Sequence, residues 1–146
     1  MGIVNTEIKQ KTIKKAVSLV GVGLHTGKNV TLTFKPALAN TGLAFKRVDL
    51  EGMPIIEADA CYVTNTQRGT CLEKNGVTIQ TSEHVLAALV GMDVDNVILE
   101  LNASEPPIMD GSSKFFVKAI EDAGIVELDA FREEYIVTDV ISYTDE

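Results

Sequence analysis

Thr81-Ser82-Glu83-His84 places a carboxylate beside an imidazole directly ahead of the apolar run Val85-Leu86-Ala87-Ala88-Leu89-Val90. Thr81 or Ser82 can cap a helix there, so Glu83 and His84 would occupy its first turn. The helix dipole at that end favours a negatively charged glutamate and a neutral imidazole. Those are the states that a general base and a metal ligand need. Adjacent helical side chains diverge by about 100°. One of the pair can therefore bind a metal while the other reaches a water nearby. The same two residues would serve equally as solvated residues at an ordinary helix start, because neither H-E-x-x-H nor its inverse is present.

A second stretch, Gly21-Val22-Gly23-Leu24-His25-Thr26-Gly27-Lys28, has the look of a phosphate loop but the wrong spacing. A dinucleotide fingerprint needs glycine where Thr26 stands, and a Walker loop needs serine or threonine where Asn29 stands. The segment also leads into a strand, whereas both motifs open a helix. It reads as a tight glycine-permitted turn that holds His25 and Thr26, either as an exposed turn or as part of a site.

The third stretch, Glu105-Pro106-Pro107-Ile108-Met109-Asp110-Gly111-Ser112, is a stiff loop into a second helix. Asp110 suits a turn or cap there, and it could instead orient a group of the site. A catalytic zinc needs three protein ligands and one open position. The chain has only two histidines, and no second constellation of histidine and carboxylate accompanies His84. A complete zinc site is not encoded in these residues.

The elements that must position these residues follow from periodicity. Gln10 to about Val20 alternates as a strand does, and so does Asn29 to Lys35, with Val30, Leu32 and Phe34 inward. Leu43 to Val48, Ile56 to Val63 and Thr70 to Leu72 read as further strands, and Asn75-Gly76 as a hairpin turn into Val77 to Gln80. The first helix runs from Glu83 to Gly91 with Val85, Leu86, Leu89 and Val90 on one face. Asn96 to Leu101 is a buried strand. Ser112 caps a second helix from about Ser113 to Ala123, stopped by Gly124, whose inner stripe is Phe116, Ala119, Ile120 and Ala123. Tyr135 to Ser142 is strand-like again. The expected class is α+β: a small mixed or antiparallel sheet with two helices packed on one face.

Bulk properties narrow the function. The net charge of −8 argues against nucleic acid as a partner, since phosphate-backbone binding is driven by Lys and Arg. With 45% apolar and 23% charged residues, the chain can build a real core. Nothing approaches the roughly 20 apolar residues of a membrane span, so stable membrane insertion is not expected. The first residues lack the pattern of a secretory signal, and Cys61 and Cys71 match neither a zinc ribbon nor a disulfide framework. A cytoplasmic protein with reduced thiols is expected.

In order along the chain, the Gly21–Lys28 turn, Thr81-Ser82-Glu83-His84 with its Ala87-Ala88-Leu89 helix, Asp95-Asn96, and Pro107-Ile108-Met109-Asp110-Gly111-Ser112 closely resemble the UDP-3-O-acyl-N-acetylglucosamine deacetylases, which carry out the committed step of lipid A synthesis. The resemblance runs from about Lys9 to Leu128 and is less distinctive from Gln67 to Leu72. It implies two related α/β domains with a zinc site between them. Glu83 would be the general base and His84 the first zinc ligand. A second domain would supply the other two ligands as a His-x-x-x-Asp pair, together with the oxyanion donors and much of the acyl-chain passage. Leu24, His25 and Asp110 match positions close to the active site.

On that resemblance, residues 1–130 are the N-terminal deacetylase domain, and 131–146 are a linker and the first strand of a second domain. The expected cofactor is Zn2+, held incompletely by this chain, and the expected substrate is a UDP-linked acylated N-acetylglucosamine. The expected partner is the protein's own C-terminal domain. The chain alone is expected to be inactive and prone to self-association through uncovered apolar surface. Two alternatives stand beside this reading. One is a binding or scaffold module that keeps the fold without the chemistry. The other is the N-terminal part of a fusion between a deacetylase and a hydroxyacyl-carrier-protein dehydratase.

Overall fold

The computed structural model describes residues 2–145. In chain order the elements are β1 (Gly2–Ile13), β2 (Val17–Val22), β3 (Asn29–Pro36), β4 (Leu43–Arg47), β5 (Ile55–Glu57), β6 (Val63–Asn65), β7 (Cys71–Lys74), β8 (Val77–Ile79), α1 (Glu83–Gly91), β9 (Val97–Leu101), α2 (Lys114–Ala123) and β10 (Ile125–Ile136). A short 3-10 turn at Ala60–Tyr62 precedes β6.

The main sheet has five strands in the order β2-β3-β9-β4-β5. It is mixed: β4 runs parallel to β9, and the other pairs are antiparallel. Alternation dictates its faces. Val30, Leu32 and Phe34 of β3 and Val97, Leu99 and Leu101 of β9 are buried. Between them, Thr31, Thr33, Lys35 and Glu100 face outward, where Lys35 and Lys46 flank Glu100 at 3.3 and 3.7 Å. Both helices join the inward residues in one core, α1 through Val85, Ala88 and Leu89 and α2 through Phe116, Ala119, Ile120 and Ala123. Phe116 packs on Phe34 with ring centroids 6.4 Å apart. Each such fully buried side chain is worth about 1.5–3 kcal/mol of transfer free energy.

The α+β class with two helices on a mixed sheet is as expected, and the α2 stripe matches residue for residue. In α1 the stripe is shifted: Ala88 is buried while Val90 is 70% exposed. Two further sheets flank the main one, a three-stranded β6-β7-β8 and a two-stranded ribbon of β1 with β10. The Asn75-Gly76 hairpin joins β7 to β8 with positive φ at both residues, 52° and 76°, as a primed turn requires.

The stretch from Gln10 to Val20 is not one strand. It breaks at residues 14–16, where the chain leaves the β1–β10 ribbon for the main sheet and the Lys14 N–H donates to the Gly124 carbonyl. The strand expected at Tyr135 to Ser142 lies earlier, in β10, and residues 137–145 have no regular structure. The boundary expected near residue 130 therefore falls inside a strand that remains paired to β1. Arg132 of β10 reaches back to Asp93 and Asp95 at 2.7 and 3.0 Å, and the Thr12 hydroxyl donates to the Asn96 carbonyl at 2.6 Å. These contacts hold the ribbon on the body. Among the described residues no helix is long and apolar enough to cross a membrane.

Candidate active site

Glu83 and His84 are the first two residues of α1, and Ser82 precedes them at the cap position. The cap is unusual, because the Ser82 hydroxyl does not bond the helix N–H groups. Its Oγ and its N–H both donate to the Thr70 carbonyl, at 3.0 and 3.1 Å. In return the Thr70 N–H donates to Glu83 Oε2 at 2.8 Å. The loop before β7 thus grips the helix start and fixes the Glu83 carboxylate.

Glu83 Oε1 lies 3.9 Å from His84 Nε2, and the two side chains are 37% and 31% exposed. They form an adjacent acid and imidazole open to one side. The His84 carbonyl accepts from the Ser113 hydroxyl at 2.8 Å, which couples the start of α1 to the start of α2. Ser113 stands just before the first residue of α2 without a side-chain cap bond, and it is the Ser112 hydroxyl that accepts from the Lys114 N–H at 3.2 Å.

His25 also approaches the loop before β7. Its Nε2 lies 3.3 Å from the Arg68 carbonyl oxygen. Gly69 follows at φ 155°, and a Cβ there would stand 3.4 Å from both Glu83 Oε1 and Thr81 Oγ1. Glycine suits this position by its backbone angle rather than by lack of space. A polar cavity of about 210 Å³ opens beside His25, lined by His25, Gln67, Arg68, Cys71, Gln80 and Thr81 among others but not by Glu83 or His84.

Glu105 was not singled out by sequence, yet it joins these parts. It is fully buried. Its carboxylate accepts from the N–H of His25 at 3.2 and 3.1 Å, the N–H of Thr26 at 3.0 Å and the hydroxyl of Thr81 at 2.9 Å. Burial pushes this carboxyl up, but the Thr26 N–H, the Thr81 hydroxyl and the His25 N–H outweigh it and hold it below its ordinary range. The available signal was a lone carboxylate at the exit of a buried strand, just before Pro106-Pro107.

Leu24, in the same turn as His25, is 55% exposed. Asp110 is not brought to the polar cavity. Its Oδ1 accepts from the Ser112 hydroxyl at 2.7 Å and the Ser112 N–H at 3.0 Å. Those bonds, the hydroxyl foremost, lower its pKa below the usual carboxylate value. It borders a separate, largely apolar hollow of about 380 Å³ with Gly21, Val22, Ile108, Met109 and Phe115. The Ile108 N–H donates to the Val22 carbonyl at 2.9 Å, which ties the loop at the apolar hollow to the strand that leads into the His25 turn.

The donor set suits one ligand of a metal site, not a whole one. Among the described residues no group of three His, Cys, Asp or Glu side chains could hold a metal ion. His84 offers one part-exposed imidazole, with Glu83 beside it.

Residues 10–146 match the model of a family described as UDP-3-O-acyl N-acetylglycosamine deacetylase. The chain is also 48% identical over 139 residues to a protein of Bacteroides thetaiotaomicron named bifunctional enzyme LpxC/FabZ. That match covers 95% of this chain and 30% of the relative, so the chain spans under a third of the relative's length.

Proposed function

Because this chain belongs to the UDP-3-O-acyl N-acetylglycosamine deacetylase family, we propose that it forms the N-terminal half of a zinc-dependent amidase that removes the acetyl group from a UDP-linked, acylated N-acetylglucosamine. The observation that carries this reading is the pairing of Glu83 with His84 at the open start of α1, with Glu83 held by the Thr70 N–H. In this reading residues 1–130 are the first domain and 131–146 lead into the second, and the enzyme works in the cytoplasm.

When bound, zinc would supply Lewis acidity toward a water and the amide carbonyl. His84 would contribute one nitrogen to it, and the remaining ligands would come from outside these residues. Glu83 would take the proton of the attacking water and later return it to the departing amine. The Thr70 N–H keeps one carboxylate oxygen engaged, which leaves the other, nearer His84, for the proton. His25 and the polar cavity would border the substrate. The reaction would yield acetate and a free glucosamine amine.

The relative's bifunctional name supports a second feature of the parent protein, a dehydratase fused to the deacetylase. The test is acetate release from the UDP-linked substrate by the full-length protein. Release that requires zinc supports the amidase reading. Tight substrate binding without release supports a scaffold module in its place.

A further inference from the structure

Glu105 is an acid with no solvent contact, in a loop that the proposed chemistry does not use. Burying a carboxylate is costly unless its oxygens are satisfied. Its donors are therefore informative, and they come from two segments far apart in sequence. The N–H groups of His25 and Thr26 belong to the turn between β2 and β3, and the Thr81 hydroxyl belongs to the residue two before Glu83. Charge-assisted hydrogen bonds of this kind are roughly twice as strong as neutral ones.

The surrounding backbone is shaped around this carboxylate. A Cβ at Gly23 would meet Thr26 Oγ1 first and would lie 2.6 Å from Glu105 Oε2, so glycine leaves room in the turn for both side chains. Thr81 holds φ at 50°, a conformation rare for a β-branched residue, and in it donates its hydroxyl to Glu105 Oε1. Such strain persists only where the surroundings over-determine it. Just after Thr81, Ser82 and Glu83 lock onto Thr70, and His25 meets the carbonyl of Arg68 in the same loop.

We infer that Glu105 is a positioning residue for the amide hydrolysis: it fixes the His25 turn against the start of α1, so that His25 and Glu83 face one substrate at a set separation. This rests on the deacetylase reading above. Glu105 touches no substrate and acts through His25. Its carboxylate is a template for two backbone N–H groups, and a glutamine can reproduce that role. The amide oxygen would accept from His25 and Thr26, and the amide nitrogen would donate to Thr81 Oγ1.

The test uses the full-length zinc enzyme with Glu105→Ala, Glu105→Gln, His25→Ala and the double variant Glu105→Ala/His25→Ala. Glu105→Ala should lower kcat by about 10–100-fold with KM changed less than about threefold, as expected when positioning is lost. Glu105→Gln should restore kcat to within about threefold. In the His25→Ala background, Glu105→Ala should cost less than about threefold more, because the residue it positions is gone.

Amide hydrogen exchange provides a readout apart from activity. The N–H groups of His25 and Thr26 should be protected in wild type and Glu105→Gln and should exchange at least about tenfold faster in Glu105→Ala. Should Glu105→Ala fail to fold, Gly23→Ala, which displaces the carboxylate together with the Thr26 hydroxyl, carries the same kcat and exchange predictions. Fully additive kcat losses, or an active enzyme whose kcat and His25 exchange ignore the substitutions, would overturn the inference alone. A wild type that releases no acetate would overturn the deacetylase reading and the inference with it.

Discussion

The main-chain N–H of Thr70 donates to Glu83 Oε2 at 2.8 Å while the Thr70 carbonyl accepts from Ser82, so one peptide segment of the loop before β7 secures both the cap residue and the candidate base. This reciprocal pairing stands in for an ordinary side-chain cap. It also makes the loop's backbone conformation part of the site.

Gly69 is the weak point of that loop. Its φ of 155° is one that L side chains rarely adopt, so a side chain there is strained even though an added Cβ would meet Glu83 Oε1 only at 3.4 Å. Gly69→Val should destabilise the fold by about 1–3 kcal/mol and loosen the Thr70–Glu83 bond. Urea unfolding measures the first effect. Faster exchange of the Thr70 N–H, relative to wild type, reports the second.

Acid should weaken the fold through Glu105. Its pKa in the folded state is below its ordinary 4.5, so its stabilisation is fully present above that value and is lost as pH falls through the lowered one. Glu105→Gln carries no such titration. The stability gap between wild type and Glu105→Gln should be constant from neutral pH down to about 5 and shrink below 4.5. A gap independent of pH down to 3 would show that folding does not lower the pKa of this carboxyl.

Phe116 anchors α2 on the sheet through Phe34, and its side chain is 1% exposed. Phe116→Ala should cost about 3–5 kcal/mol, a large share of a typical domain's stability. A denaturation midpoint close to wild type would mean that α2 is held chiefly by other contacts. Since Ser113 at the start of α2 also donates to the His84 carbonyl, a partly unfolded α2 should lower zinc retention as well.

What could be read in advance follows from how local each signal is. The Phe116, Ala119, Ile120 and Ala123 stripe needs only a 3.6-residue period, and Asn75-Gly76 needs only its own backbone preference. Both were legible. The alternation from Gln10 to Val20 says that a strand is present but not which strand it pairs with. The switch from ribbon to main sheet at residues 14–16 was therefore hidden.

Glu83 and His84 could be picked out because a helix start gives them a chemical context. Glu105 could not, since its role depends on N–H groups of His25 and Thr26, 80 and 79 positions away, which converge only when β2, β3 and β9 assemble. Asp110 matched a motif, yet the structure engages it with Ser112 and turns it to the apolar hollow.

The proposed division of base and metal-ligand roles between Glu83 and His84 is central to the reaction. It is tested most directly by zinc content and acetate release measured side by side on full-length wild type, Glu83→Gln and His84→Ala. Glu83→Gln should keep wild-type zinc stoichiometry while its kcat falls by about 10²–10⁴-fold. His84→Ala should bind zinc far more weakly and regain little activity when zinc is added back. A His84→Ala protein that retains stoichiometric zinc, or a Glu83→Gln protein with unreduced kcat, would contradict the assignment.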